Sequence, residues 1–511
     1  MSPSTTSSLA EAGVRAATCW ADRPALTSGG ETSTYRELHQ QIARLAGGLG
    51  SLGIGEGSRL AIMIPNSPEF ILTYMAASHV GATVVPVPSL LGVEEVAYIL
   101  GDVGADAMVV AEQLAPVAHA AMQQADTAKT LIVCGDAPEP DAVGFAELMA
   151  SAEPLTEPAT IAAETPAAII YTSGTTGRPK GAVLTHRNLL TNVEACRQAI
   201  SISEEDIFVT VLPLFHSFGA TVSMLLPMFC GCHNVLLPGF SALHALQAIE
   251  RHRATIVAGV PTMYALMMQV RDASAHDLSS LRFVVSGGAA LPDEVCLGFE
   301  KTHGAPIIEG YGPTEASPVV SVNPIDGRRK VGSVGLPLPG VEIMIADDDM
   351  AELPAGEIGE ICVRGPNVMA GYHNADELTK ATLVNDWLRT GDVGKLDEDG
   401  YLYIVDRKKD LIIVGGINVY PCEVEDCIAR MAQVAEVAVA GAPSELRGEV
   451  VAAHVVVKEG AECTAQQVID HCRQHLAPYK VPKHVRFADE LAKSAIGKVL
   501  KQELKSDSEI K

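Results

Sequence analysis

The sequence is poor in basic and in aromatic residues. Lysine and arginine number 37 against 62 aspartates and glutamates, giving a net charge of -25, and aromatic residues make up 5% of the chain. Because an acidic surface repels phosphodiester backbones, we do not expect nucleic acid as a partner. Hydrophobic residues nevertheless make up 48% of 511 positions, which is enough to build two or more folded domains.

Paired metal-binding cysteines are also lacking. The eleven cysteines include no CxxC pair, and Cys230 and Cys232 form a lone CxC without a second pair of ligands. A structural zinc site is therefore not expected. The Ser- and Thr-rich residues 1–10 lack the basic and apolar regions of a secretory signal. We expect reduced cysteines and a cytoplasmic protein.

Charged residues are absent from one long stretch, since residues 207–249 contain no Asp, Glu, Lys or Arg. The stretch is long enough to cross a bilayer. However, Pro213, Pro227 and Pro238 interrupt it, and an uninterrupted lipid-facing helix is not built in that way. We expect no transmembrane span, but buried elements that line an apolar cavity; peripheral membrane contact stays open.

Through the first 330 residues, short apolar runs alternate with segments in which the apolar residues have helical spacing. The pattern predicts helices over 33–50 and 69–80, and strands over 59–65, 83–87, 107–110 and 130–134. Such alternation predicts an α/β fold with parallel or mixed sheets covered by helices.

Beyond residue 330 the pattern changes to short strands punctuated by glycine and proline, such as 341–345 and 359–363, which predict a β-rich subdomain. A helix–strand–strand–helix pattern follows the charged segment 406–410. We therefore expect an N-terminal domain over 1–405 and a small α+β C-terminal domain over 406–511.

One glycine pattern is misleading. Gly48, Gly50 and Gly53 match GxGxxG, but a dinucleotide-binding loop follows a strand and opens a helix. Here the glycines end a helical pattern and precede a strand. They predict the end of a helix and a turn.

A second loop has a stronger chemical signal. The apolar strand Ala167–Tyr171 leads into a segment rich in hydroxyls and glycine that ends at Lys180. Glycines let backbone N–H groups curl around an anion, and hydroxyls add donors. The spacing is not that of a Walker A loop, because Pro179 is the fifth residue after Gly174. The segment favours phosphate binding, and a flexible surface loop is the alternative.

The run Tyr171–Gly181 resembles the signature of the adenylate-forming superfamily, which includes acyl-CoA synthetases, luciferases and nonribosomal adenylation domains. Six further motifs follow in the order found in that family: Leu212–Gly219, Glu309–Glu315, Arg389–Asp392, Asp406–Asp410, Gly415–Asn418 and Ala495–Lys498. The resemblance covers nearly the whole chain. It implies an enzyme that uses ATP to make an acyl-adenylate and then passes the acyl group to coenzyme A.

The resemblance also implies nucleotide-binding roles. The phosphate loop comprises Thr172, Ser173, Gly174, Thr175, Thr176, Gly177 and Lys180. The adenine slot is implied at Gly288, Ala289 and Tyr311, and Glu309, Gly310 and Gly312 belong to the same nucleotide-binding motif. Thr314 and Glu315 resemble the pair that binds ATP phosphate and Mg²⁺, with Glu315 as the metal ligand. Asp392 is implied to bind the ribose hydroxyls, and Arg407 is a second nucleotide contact.

The C-terminal motifs are implied to serve both half-reactions. Lys498 resembles the lysine that reaches the substrate carboxylate and the α-phosphate, where charge builds during adenylation. Asp406 stands at the hinge about which the mobile C-terminal domain rotates. Gly415 and Gly416 are implied to line the pantetheine tunnel. His216 either gates the passage between the acyl and thiol sites or is an ordinary packed histidine.

A basic group near the end of the chain departs from the acidic average. It consists of Lys480, Lys483, Arg486, Lys493, Lys498 and Lys501. Such a patch would attract the phosphates of coenzyme A, and a solvated face is the alternative.

The resemblance narrows the substrate. Gly312 stands where acetyl-CoA synthetases close the acyl pocket with tryptophan, and the motif around Phe215 lacks the aspartate of amino-acid-activating relatives. The whole pattern is most similar to bacterial medium- and long-chain fatty-acid–CoA ligases. The alternatives are an aryl-acid ligase, an acyl-AMP ligase that loads a carrier protein, a luciferase-like oxygenase and a non-catalytic acyl-binding protein. Pairing into a homodimer is left open.

Overall fold

The computed structural model describes residues 8–135, 142–172, 179–271, 273–414, 417–444, 447–493, 499, 501 and 504, except the side chain of Lys409. The chain forms two compact units. The first comprises Met1–Ile343 and Cys362–Thr390, and the second comprises Met344–Ile361 and Gly391–Lys511. Asp406, at the predicted hinge, lies within the second unit, and the hinge stays a prediction.

Most helices of the first unit bury one face, Pro68–His79 buries nearly every side chain, and Asp376–Thr382 has no buried residue. In chain order they are Leu9–Cys19, Tyr35–Ser51, Pro68–His79, Val93–Val103, Ala115–Ala125, Phe145–Ser151, His186–Ala199, a π-helix Gly219–Leu225, Leu226–Cys230, Ala242–His252, Pro261–Gln269, Asp293–His303 and Asp376–Thr382. Helix Tyr35–Ser51 begins at a capping box, in which Thr34 and Glu37 satisfy each other's backbone N–H groups. Gly48 and Gly50 lie in its last turns and Gly53 follows in the turn, so the expectation for the GxGxxG match is confirmed.

One large sheet has nine strands and is parallel in its centre. In spatial order the strands are Leu336–Pro337, Ser321–Val322, Ile307–Tyr311, Phe283–Ser286, Ile256–Gly259, Ile207–Thr210, His233–Leu236, Pro24–Ser28 and Glu31–Thr34. The last strand at each end pairs antiparallel with its neighbour. A core cluster that includes Tyr264 and Phe299 covers one face of this sheet.

The second large sheet has eight strands and is also mixed. In spatial order they are Gly371–Tyr372, Lys180–Thr185, Pro166–Thr172, Thr83–Pro86, Arg59–Met63, Ala107–Ala111, Thr130–Cys134 and Val143–Gly144. The central strands are parallel, and Lys180–Thr185 pairs antiparallel with both of its neighbours. The prediction of parallel or mixed sheets covered by helices is confirmed.

A smaller sheet of five strands forms the β-rich part that the sequence predicts. Its order is Glu342–Ala346, Gly359–Arg364, Trp387–Leu396 and Leu383–Val384, with Leu402–Arg407 paired to Trp387–Leu396. The strand predicted over 341–345 overlaps the first of these, and the strand predicted over 359–363 lies within the second.

Over its described segments, the second unit contains its own sheet and the helices Pro421–Ala429 and Ala465–His475. The strand order is Ile417–Val419, Ile412–Val414, Gly448–Val457 and Val434–Ser444, with His484–Phe487 paired to Gly448–Val457. Helices Pro421–Ala429 and Ala465–His475 share a core with this sheet that includes Val439, Val455 and Val468. The α+β pattern predicted for this segment is confirmed.

The uncharged stretch 207–249 forms several short buried elements rather than one long helix. It contains strand Ile207–Thr210, the π-helix, helix Leu226–Cys230, strand His233–Leu236 and most of helix Ala242–His252. Within the part of the chain that the structure describes, no helix is long and apolar enough to cross a membrane.

Candidate functional site

The carboxyl ends of four neighbouring strands meet at one edge of the nine-stranded sheet. Strands Ile207–Thr210, Ile256–Gly259, Phe283–Ser286 and Ile307–Tyr311 are parallel, each to the next. Open α/β sheets bind ligands at this edge, outside the carboxyl ends of the strands. The segments that leave the edge carry three groups of predicted site residues: the His216 segment, Gly288 with Ala289, and Gly310–Glu315.

The structure brings the His216 segment and the predicted adenine slot together. The hydroxyl of Ser217 lies 3.0 Å from that of Thr314. A Cβ atom at Gly287, next to Gly288, would lie 3.3 Å from the Phe218 ring, so this segment and the slot are in close contact. His216 Nδ1 accepts a hydrogen bond of 3.3 Å from the backbone N–H of Phe218, which ties the half-buried ring to its own loop.

Backbone constraints explain two glycines of the predicted nucleotide site, Gly288 and Gly312. Gly288 has φ +78°, a conformation that favours glycine, while Ala289 beside it is exposed. A Cβ atom at Gly312 would lie 1.7 Å from the carbonyl oxygen of Pro318. Glycine is therefore required at position 312 by the neighbouring backbone, which is a reason for its presence that is independent of an open acyl pocket.

Glu315 accepts a hydrogen bond from a residue outside the predicted motifs. The hydroxyl of Tyr372 donates a hydrogen bond of 2.7 Å to Glu315 Oε1. The ammonium of Lys180 lies 5.9 Å from the centre of the Tyr372 ring. Burial and the Glu315 charge raise the pKa of Tyr372 well above its usual value, so that the hydroxyl stays protonated as a donor. Tyr372 is therefore near two predicted site residues: its ring faces Lys180, and its hydroxyl binds Glu315.

Buried amides hold the loop that carries Thr314 and Glu315. Asn192 donates to the carbonyl of Val319 at 2.7 Å and accepts from its N–H at 3.1 Å. Asn367 donates to the carbonyl of Ala316 at 2.8 Å. Both asparagines are almost fully buried. Because these bonds are directed at the backbone, they fix the loop whatever its side chains bind.

Glu309 is a buried carboxyl at the end of its strand. Its Oε1 accepts a hydrogen bond of 3.2 Å from the backbone N–H of Leu291. Burial is the main reason that the pKa of Glu309 is raised to about 7, and the nearby charge of Asp293 adds to it. Its charge therefore changes near neutral pH, within the predicted nucleotide-binding motif.

The ends of the phosphate segment are fixed by strand pairing. Thr172 and Lys180 are partners in the antiparallel ladder, so the loop leaves and re-enters the sheet at one place. The hydroxyl of Tyr98 donates to the carbonyl of Pro179 at 3.1 Å. The other predicted loop residues lie outside the described residues: Ser173, Gly174, Thr175, Thr176 and Gly177.

Two predicted nucleotide contacts are paired within the second unit. Asp392 and Arg407 are cross-strand partners, and Arg407 Nε lies 3.2 Å from Asp392 Oδ1. The Asp392 side chain is 10% exposed and the Arg407 side chain is 42% exposed, so the guanidinium can reach a ligand while it orients the carboxylate. Asp406 accepts from the backbone N–H of Cys422 at 3.0 Å, at the start of helix Pro421–Ala429.

The basic group near the end of the chain is partly neutralised. Lys480 pairs with Glu423, Lys493 with Glu436 at 2.7 Å and Lys501 with Glu425 at 2.7 Å. Three of its six members therefore have acidic partners within the second unit, which weakens the argument for a phosphate-attracting patch. Gly415, Gly416 and Lys498 lie outside the described residues.

Sequence reasoning missed Tyr372, Asn192 and Asn367. None lies in a motif with a chemical signature, and each acts through a contact across 50 or more positions in the chain. A lone tyrosine or asparagine in an apolar context carries no periodic signal. These positions could be found only from the folded structure.

The comparisons with known proteins agree with this arrangement. The family model for AMP-binding enzymes matches residues 14–373, and the model for the AMP-binding enzyme C-terminal domain matches residues 423–498. The long-chain-fatty-acid–CoA ligase of Bacillus subtilis strain 168 is 37% identical over 511 residues, covering 94% of this chain and 91% of that protein. The feruloyl-CoA synthase of an Amycolatopsis species is also 37% identical, covering 94% of this chain and 95% of that protein.

A solved structure agrees equally well in three dimensions. The crystal structure of ATP-bound MatB from Rhodopseudomonas palustris has a TM-score of 0.91 and 33% sequence identity, with 98% of each chain covered. The matched lengths and identities leave no large part of the chain unaccounted for. The chain therefore belongs to the AMP-binding enzyme family and is an AMP-forming acyl-CoA synthetase.

Proposed function

We propose that the protein activates medium- or long-chain fatty acids with ATP and transfers the acyl group to coenzyme A. The observation that carries the choice of acid is the stretch 207–249, which has no Asp, Glu, Lys or Arg and folds into short, mostly buried elements beside the candidate site. An apolar wall favours longer chains, because each buried methylene contributes about 0.8 kcal/mol. Similarity to the Bacillus subtilis ligase supports the same choice.

The proposed nucleotide site lies at the edge where the parallel strands end. Gly288, Ala289 and Tyr311 would receive adenine, and Thr314 and Lys180 would bind phosphates together with Thr172 and the loop residues that follow it. The contact between Ser217 and Thr314 and the bond from Tyr372 to Glu315 support this placement, because they hold the two motif residues in fixed positions.

We propose Mg²⁺ as the metal, with Glu315 as its protein ligand. Mg²⁺ usually takes one or two carboxylates together with phosphate and water oxygens. Among the residues that the structure describes, no three His, Cys, Asp or Glu side chains cluster to form a cage. Phosphate and water would therefore supply most ligands. The bound ion would neutralise phosphate charge, and Glu315 would fix its position.

The second unit would supply the remaining groups. Asp392 would accept from the ribose hydroxyls and Arg407 would contact the nucleotide, which their cross-strand ion pair supports. Lys498 would stabilise the charge that develops on the carboxylate and the α-phosphate. Gly415 and Gly416 would line the pantetheine tunnel, and Asp406 would act as the hinge between the half-reactions. His216 would gate the passage between the acyl and thiol sites.

An aryl acid is the second candidate substrate. The feruloyl-CoA synthase is as similar to this chain as the fatty-acid ligase, so identity alone does not separate the two classes. A carrier-protein thiol, in place of coenzyme A, is the alternative acceptor.

The experiment supplies the protein with Mg-ATP, coenzyme A and a panel of acetate, C4 to C18 fatty acids, benzoate and coumarate. Mass spectrometry detects adenylates and thioesters, with Lys498→Ala as the control. We expect thioesters from acids of C8 or longer, and a loss of rate of about 10²–10³ in the variant because a charge-stabilising contact is removed. Aryl thioesters alone would contradict the fatty-acid proposal, and adenylates without thioesters would point to a carrier protein.

We also propose that the enzyme acts in the cytoplasm, pairs as a homodimer and contacts membranes only at their surface. Its eleven cysteines are all free thiols, which supports a reducing compartment. Light scattering tests the dimer, and flotation with liposomes tests the surface contact. A monomer at micromolar concentration, or no flotation, would contradict the respective proposal.

A further inference from the structure

One aromatic side chain separates two oppositely charged groups of the site. Lys180 and Glu315 would both bind the same metal–nucleotide complex, one through phosphate and one through the ion. Tyr372 contacts both, since its hydroxyl donates to Glu315 Oε1 at 2.7 Å and its ring lies 5.9 Å from the Lys180 ammonium. A lysine and a glutamate that met directly would form an ion pair and neutralise each other.

The ring interacts with the lysine without neutralising it. An ammonium is attracted to the face of an aromatic ring, but the ring carries no charge that would compete with phosphate. At the other end of the side chain, the hydroxyl occupies one oxygen of Glu315 and fixes its orientation. Hydrogen-bond donors of this kind orient metal-ligating carboxylates in proteins.

The backbone holds Tyr372 firmly in this place. It lies on the short strand Gly371–Tyr372 and pairs with Ala182, two residues after Lys180. Its backbone N–H donates to the hydroxyl of Thr379 at 2.8 Å. Gly371 has φ +147°, and a Cβ atom there would lie 2.8 Å from the Thr379 methyl group, so only glycine fits. Register and close packing therefore set the position of the ring.

We propose that Tyr372 is a positioning residue that orients Glu315 for the metal and prevents Glu315 from pairing with Lys180. The proposal rests on the proposed function, because it takes Glu315 as the metal ligand and Lys180 as a phosphate contact. The hydroxyl orients Glu315 for the metal, and the ring keeps Glu315 apart from Lys180.

The second unit offers a matched control. Lys395 lies 5.9 Å from the centre of the Tyr403 ring, and the hydroxyl of Tyr403 donates to Asp397 at 3.3 Å. This lysine–tyrosine–aspartate group has the same chemistry as the one around Tyr372. It contains no residue to which we assign a role in binding or catalysis.

The first experiment measures Mn²⁺ binding by electron paramagnetic resonance, with a non-hydrolysable ATP analogue present. We expect Tyr372→Phe to weaken Mn²⁺ binding about 10- to 100-fold, as is common when a residue that orients a metal ligand is changed. Tyr403→Phe should bind Mn²⁺ as the wild type does. Both variants should keep the thermal unfolding midpoint of the wild type. Equal Mn²⁺ affinity in Tyr372→Phe and wild type would overturn the proposal.

A double-mutant cycle separates positioning from a general structural effect. If Tyr372 acts through Glu315, adding Tyr372→Phe to Glu315→Gln should weaken Mn²⁺ binding no further than Glu315→Gln alone. Additive losses would show that the tyrosine acts elsewhere and would refute the positioning role, even if the single variant is less stable.

The role of the ring is tested with Tyr372→Leu. This variant leaves Lys180 and Glu315 free to pair, so it should weaken binding of the metal-free ATP analogue by about tenfold, whereas Tyr372→Phe should leave that affinity unchanged. Equal affinities of the two variants would overturn the separation role. If the wild type forms an acyl-adenylate, and the Tyr372 variants bind Mn²⁺ and the ATP analogue as tightly as the wild type, only the proposal for Tyr372 fails. If the wild type binds no metal–nucleotide complex, the proposed function fails with it.

Discussion

At the scale of the residue, Glu309 couples the stability of the protein to pH. Its folded pKa of about 7 lies above the ordinary value of 4.5, so the folded state holds a proton that the unfolded chain releases. The contribution of Glu309 to the free energy of unfolding is fully present below pH 4.5, and it is lost as the pH rises to about 7. Above that pH, keeping the charged carboxylate buried costs about 3 kcal/mol.

We predict that Glu309→Gln stabilises the protein, and more at pH 8 than at pH 6. The amide oxygen keeps the bond from Leu291 but carries no charge. The gain in the free energy of unfolding at pH 8 should exceed the gain at pH 6 by about 1 kcal/mol. Urea denaturation at the two pH values measures it, with Glu153→Gln, at an exposed position, as a control for loss of one negative charge. A gain that does not change with pH would contradict the assignment.

At the scale of the element, the loop that carries Thr314 and Glu315 depends on a helix far away in sequence. Helix His186–Ala199 places Asn192 against the backbone of Val319, where its amide makes two bonds. The helix therefore acts as a rigid support for the loop. We expect Asn192 to affect activity through the backbone of Val319 and not through contact with substrate.

We predict that Asn192→Ala lowers the free energy of unfolding by about 2–3 kcal/mol, because it leaves buried backbone groups of Val319 without their partner. The adenylation rate should fall about 10- to 100-fold as the loop shifts. Denaturation and pyrophosphate release measure the two effects. Thr191→Ala on the same helix is the control and should change both quantities little. An inactive Asn192→Ala of unchanged stability would argue against the support role.

At the scale of the whole molecule, the exposure of each cysteine shows how tightly its part of the chain is packed. All eleven are free, and Cys19 is exposed. Seven are buried. Burial raises the pKa of Cys134 to about 12 and that of Cys296 to about 11, so these thiols are poorly ionised at neutral pH.

We predict that Ellman's reagent modifies one thiol rapidly in the native protein and eleven in the denatured protein, without reductant. Cys19→Ser should remove the rapid phase, because the buried thiols are inaccessible to the reagent. Nine rather than eleven thiols in the denatured wild type would reveal a disulfide and contradict the structure.

The alternation of apolar runs was sufficient to predict five strands of the eight-stranded sheet and the helices Tyr35–Ser51 and Pro68–His79, since period and burial are local properties of the chain. The strands of the nine-stranded sheet were not predicted one by one. The motif around Thr314 and Glu315 was likewise visible, because its glycines and acidic residue are adjacent in sequence. By contrast, the sequence did not show why position 312 requires glycine. Its contact with Pro318 depends on the path of a turn, and no local pattern records that path.

The order of motifs along the chain was by itself enough to determine the family, the α/β class and the chemistry of acyl activation, because each of these depends on short segments of fixed composition. Only the tertiary structure decided how the segments cooperate. It placed Tyr372 between Lys180 and Glu315, and it placed the amides of Asn192 and Asn367 against the loop beside them. These contacts join residues that are far apart in sequence, and they exist only after the sheets have formed and fixed the register of their strands.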